Sequence, residues 1–145
     1  MRIEDLEDKL IETVKTAMPY LRYVDTYQGE LDETNIVQFV KNFPAVLIYM
    51  EESRYLNRAW PLKWQSVEIT ILVCDRNLRG NKSARRGDRS NPGTYGMLQD
   101  LFDTLFGKDL GLAMDALDIL SETALINTSK LAVYAARYKT KFAKN

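Results

Sequence analysis

The chain reads as an α+β fold, a mostly antiparallel sheet covered by amphipathic helices and carrying a long basic loop. Three observations predict this. Two consecutive runs, AVLIYMEESRYL and SVEITILVCD, place apolar residues on both faces of a strand, as in the middle of a covered sheet. Helical apolar spacing recurs on either side of them, and the strand-helix alternation that a doubly wound parallel sheet needs is missing. With 145 residues, 46% of them hydrophobic, the chain has the size of one domain, able to bury roughly two-thirds of its unfolded surface.

Each element follows in order. Ile3, Leu6, Leu10, Val14 and Ala17 recur at helical spacing, with Glu4, Asp5, Glu7 and Asp8 at the positive end of the helix dipole. Met18-Pro19 ends that helix, because the residue before proline is pushed out of the helical region. LRYVDTY then predicts a strand running to the turn at Gln28-Gly29. Asp32 is placed to cap a short helix, ETNIVQFVKNF, in which Ile36, Phe39, Val40 and Phe43 share a face before Pro44 stops it.

In the second core strand, Val67, Ile69, Ile71 and Val73 share one face, while Leu72 and Cys74 occupy the other. NRAWPLKW joins the two core strands as an antiparallel hairpin. Its indoles, Trp60 and Trp64, have two readings: covers for one end of the core, or an aromatic contact surface.

After the polar loop, TYGMLQDLFDTLFG predicts a helix that buries Tyr95, Leu98, Leu101, Phe102 and Leu105 and stops at Gly107. LGLAMDALDIL stays ambiguous. Two closing strands follow with a turn at Asn127 to Lys130. In the last, Tyr134, Ala136, Tyr138, Thr140 and Phe142 alternate with Arg137, Lys139 and Lys141, which predicts one wet face and a sheet edge.

Composition excludes several chemistries. No histidine is present, so histidine-based triads, dyads and metal sites are out of reach. The single Cys74 sits in an apolar run, where a buried, inert thiol is expected. The acidic start of the chain does not read as a targeting signal, and no apolar run reaches the roughly 20 residues of a membrane span. The expectation is a cytosolic protein with no membrane partner and no cofactor.

The loop invites sharper readings. In the phosphate-cradling pattern G-x-x-x-x-G-K-[ST], Lys82 and Ser83 match, but Arg76 and Asn81 stand where glycines must let the backbone wrap the phosphates. Arg86-Gly87-Asp88 spells an adhesion tripeptide, for which chance is the better explanation. Glu51 with Glu52, and Asp100 with Asp103, are carboxylate pairs that could serve acid/base chemistry or a hard cation, yet they read as solvated surface. No catalytic, cofactor or metal site is nominated.

What stands out is charge. Arg76, Arg79, Lys82, Arg85, Arg86 and Arg89 face only Asp75 and Asp88, in a chain whose 20 basic and 20 acidic groups cancel. Such composition predicts a flexible basic loop over 76–93 that gains order against a partner. Stretched out, it would reach on the order of 60 Å.

The order of segments, FPAVLIYMEES, VEITILVCDRN, the polar loop, GTYGMLQDLFDTLFG and LAVYAARYKTKF, resembles the small tail-region proteins of Mu-like phages and prophages, within the wider tail-terminator class. The resemblance covers most of the chain. It implies a virion protein rather than an enzyme. Tail terminators form a ring, commonly a hexamer, that caps the tail tube and sheath and offers the docking surface for the head.

The partners implied are further copies of the chain, the tube or sheath, and head-neck proteins, first in the host bacterial cytoplasm and then in the virion tail. Two other readings stay open: a neck or minor tail protein, and a nucleic-acid module using the basic loop, with Trp60 or Trp64 stacking on bases. A passing contact with DNA fits either.

Overall fold

A computed structural model describes residues 1–57, 59–89 and 91–144; Arg58 of the hairpin connection, Ser90 of the basic loop and Asn145 lie outside the described residues. The elements are helix α1 (Ile3–Ala17), strand β1 (Tyr23–Thr26), helix α2 (Ile36–Phe39) continued by a 3-10 turn (Val40–Asn42), strands β2 (Ala45–Asn57) and β3 (Lys63–Arg76), helices α3 (Asn81–Arg86) and α4 (Thr94–Leu105), and strands β4 (Asp118–Asn127) and β5 (Leu131–Lys144). The strands form one five-stranded sheet in the order β1-β2-β3-β5-β4. Only β1 and β2 run parallel; every other pair is antiparallel. The α+β class predicted from the runs is therefore the fold observed.

The period of two along β2, β3 and β5 decides where each side chain goes. Val46 and Ile48, then Val67, Ile69, Ile71 and Val73, then Ala136, Tyr138 and Phe142 face α1 and α4 in the main core. Leu6, Leu10 and Val14 of α1 and Met97, Leu98, Leu101 and Leu105 of α4 close it. Burying each Val, Leu, Ile, Met or Phe among them contributes about 1.5–3 kcal/mol. Asp5 accepts a bond from the Arg2 backbone N–H, which helps fix the start of α1.

On the opposite face, Leu47, Leu72, Cys74 and Val133 pack under Leu31, Phe39 and Phe43, so the short α2 segment covers only one end of that face. Farther along, the same face turns polar. Arg137 pairs with Glu68, and Thr70 donates to Glu51 at 2.8 Å.

Three expectations change, and a further short helix appears. The last strand, β5, lies inside the sheet between β3 and β4, and β4 forms the edge. Its lysines occupy the polar half of the outer face; a wet face was mistaken for a wet edge. Helix α4 buries Thr94 and Met97 and leaves Tyr95 and Phe102 exposed, a rotation of the expected face. The short helix is capped by Asn35, without a side-chain cap bond, and Asp32 instead supplies backbone carbonyl bonds to Asn35 and Ile36. Within 76–93, the segment expected to be a flexible loop, the chain forms α3 and a set of internal hydrogen bonds.

Candidate interaction surface

The basic segment starts from a buried carboxylate. Asp75, the last inward-facing residue of β3, is fully buried and accepts bonds from the Gly93 N–H at 2.8 Å, the Arg76 N–H at 2.8 Å and the Asn91 amide at 3.2 Å. Burial pushes its carboxyl above the ordinary aspartate range, and the bonds from Arg76, Gly93 and Asn91 offset part of that effect. Asn91 also donates to the Arg76 carbonyl, while Asn77 donates to Asp88 at 2.6 Å. A single acidic group thus gathers both ends of the segment.

Close backbone approach completes the clamp. Gly93 has φ of +79°, and a Cβ there would sit 2.2 Å from the Gly87 nitrogen. No other residue type fits without backbone movement. Helix α3 docks through buried Ala84 and through Asn81, whose amide donates to Asn127 at 2.5 Å and to the carbonyls of Thr128 and Leu131. Composition counts charges; the bonds that polar side chains make here to buried backbone groups are a tertiary feature that such a count does not show.

The six nominated cations fall into two groups. Arg85 is engaged internally, donating to Asn81 at 2.7 Å and to the Tyr95 hydroxyl at 2.8 Å. Among the described residues, Arg76, Arg79, Lys82, Arg86 and Arg89 form no ion pair. Arg76 and Arg79 border a cleft of about 530 Å³ with Arg22, Tyr20 and Asp88. Beside them, Leu78 (82% exposed) and Val37 (76% exposed) rise from an apolar depression of about 280 Å³ whose rim includes Lys130.

The hairpin tip is built differently. Trp60 is 89% exposed, so its indole does not cover the core. Trp64 is half-buried, with the Lys141 ammonium 5.5 Å from the centre of its ring. Tyr55, Leu56 and Leu62 are exposed around Trp60. From Tyr49 to Asn57, β2 has no neighbour on its outer side among the described residues, because β1 covers only Ala45 to Ile48.

The carboxylate pairs are dispersed into separate contacts. Glu51 receives Thr70, Glu52 pairs with Arg54 at 2.6 Å, Asp100 accepts the Tyr20 hydroxyl at 2.5 Å, and Asp103 accepts the Gln99 amide at 2.9 Å. Among the described residues, no group of three or more acidic or cysteine side chains is arranged to hold a metal ion. Cys74 is buried, and burial pushes its thiol far above the ordinary range. No described helix is long and apolar enough to cross a membrane.

One acidic counterpart escaped the sequence reading. Between α4 and β4 lies a groove of about 500 Å³ lined by Tyr95, Leu98, Gln99, Phe102 and Glu122. Phe102 and Phe106 stack beside it with ring centres 4.7 Å apart. The exposed aromatics of α4 were the available signal, hidden by their assignment to the core.

A comparison with curated proteins gives no match. The family model described as Bacteriophage Mu, Gp37 matches residues 2–143, nearly the whole chain. This chain therefore belongs to the bacteriophage Mu Gp37 family.

Proposed function

We propose that this chain is a tail assembly protein that acts as a tail terminator. Copies of it form a ring on the end of the tail tube and sheath, stop polymerisation and present the surface to which the head docks. The carrying observation is the set of five cations that form no ion pair among the described residues, on one segment of a chain with no net charge. Basic patches of that kind favour docking against acidic patches of identical neighbours and set their register. Membership of a Mu phage family supports the same direction.

The chain acts by binding rather than by catalysis in this reading, which the separate engagement of its carboxylates supports. Purified chain added to polymerising tail tubes tests it. Tubes of limited length, each bearing a ring at one end, are expected; tubes that grow as they do without the chain would overturn it. A second reading rests on Arg22, Arg76 and Arg79 around one cleft, a suitable place for a backbone phosphate of DNA. It predicts DNA affinity that falls steeply with salt, and the absence of binding at low salt would remove it.

A further inference from the structure

We infer that the turn carrying Leu78 and Arg79 on one copy of the chain seats in the groove between α4 and β4 of the next copy. This rests on the ring reading above and names the contact that would build the ring. The turn is closed by a bond from the Gly80 N–H to the Asn77 carbonyl at 3.0 Å, which presents Leu78 and Arg79 at its apex. Leu78 is exposed, and Arg79 has no ion-pair partner among the described residues. The turn thus offers an exposed apolar side chain beside a guanidinium that forms no ion pair among the described residues.

The groove has the opposite character. Leu98, Phe102 and Tyr95 line it together with Gln99. Glu122 lines it, and neither Glu122 nor Asp103 forms an ion pair among the described residues.

A guanidinium offers Glu122 a positive charge and several N–H donors in a planar fork. Leu78 then lies on the exposed Phe102 and Phe106 rings.

The two patches occupy different parts of the surface, one after β3 and the other at the β4 edge. Contact between unlike patches is head-to-tail, the arrangement that closes into a ring when the rotation allows. Edge-to-edge strand pairing through β4 is the poorer alternative, because register shifts between Ile119 and Ser121 and between Ala124 and Ile126 interrupt its ladder.

The test is charge exchange in the full chain. Arg79→Glu and Glu122→Arg are made singly and together, and folding is checked by thermal melting. Self-association is then followed by sedimentation in solution and by electron microscopy of rings on tail tubes. Each single reversal is expected to weaken association at least about tenfold, and the double reversal to recover most of that loss.

Folded single variants that associate like the original, or a double variant as impaired as the singles, would overturn this contact and leave the ring reading standing. Failure of the unaltered chain to associate either in solution or on tubes would remove the ring reading and this contact with it. Loss of DNA binding in Arg79→Glu with unchanged association would assign the turn to nucleic acid and also overturn the contact.

Discussion

The two ends of β3 lead into the two most conspicuous surfaces of the molecule, and they are stabilised by opposite means. At its C-terminal end, the basic segment is rich in charge, yet Asp75, Asn77, Asn81, Asp88 and Asn91 tie its backbone to β3, α4 and the β4-β5 turn. At its N-terminal end, the hairpin tip is rich in apolar groups, yet Tyr55, Leu56, Trp60 and Leu62 remain exposed. Local order here tracks satisfied polar groups, and exposed apolar area marks where the chain has surface left to bury.

The sharpest way to break that contrast is Gly93→Ala. The added Cβ meets backbone atoms at 2.2 Å and 2.7 Å in a left-handed conformation. We expect a loss of roughly 3 kcal/mol, read by urea denaturation, with early hydrogen exchange confined to residues 76–93. Next comes Asp75→Ala, which leaves the Gly93 N–H without its acceptor and removes one of the two acceptors of the Asn91 amide. A loss of about 1–3 kcal/mol is expected from buried donors left unpaired. A loss below about 0.5 kcal/mol, the level of an ordinary surface substitution, would mean the carboxylate does not hold the segment.

The same carboxylate makes stability depend on pH. Its raised native pKa means that the folded chain binds this proton more tightly than the unfolded chain. The resulting stabilisation is complete below the unfolded value of about 4 and is lost as pH rises through the raised value. The advantage of the original chain over Asp75→Asn should therefore shrink between acidic and neutral pH in denaturant titrations. An advantage that grows with pH would contradict the assignment.

The smallest effects belong to the exposed groups. Neutralising Arg79, Arg86 and Arg89 together, or replacing Trp60 with Ala, should change monomer stability by no more than about 0.5 kcal/mol per site. Only assembly should respond. A large drop in melting temperature for Trp60→Ala would show that the hairpin tip contributes to the fold after all.

How much of this could be read from residues differs sharply by region. Strands β2 and β3 were legible because Val46, Ile48, Val67, Ile69 and Ile71 keep strict alternation over long runs. Strand β4 was only half legible. The register shifts around Leu120 and Leu125 break its period of two, so its apolar residues do not alternate as a strand's should. With β4 obscured, the lysines of β5 were read as an edge.

The candidate surface shows the same limit. Its cations were visible as a run, but the scaffold beneath them depends on Asp75 meeting Gly93, eighteen residues away. The acidic groove combines α4 with β4, two elements whose facing sides only tertiary packing reveals.

The most direct test of the account is the position of the chain on the assembled tail. A small tag on the chain, imaged by electron microscopy on purified tails, should appear as a single cluster at the head-proximal end of every tail. Label spread along the tube, clustered at the far end, or absent from tails would contradict the terminator assignment.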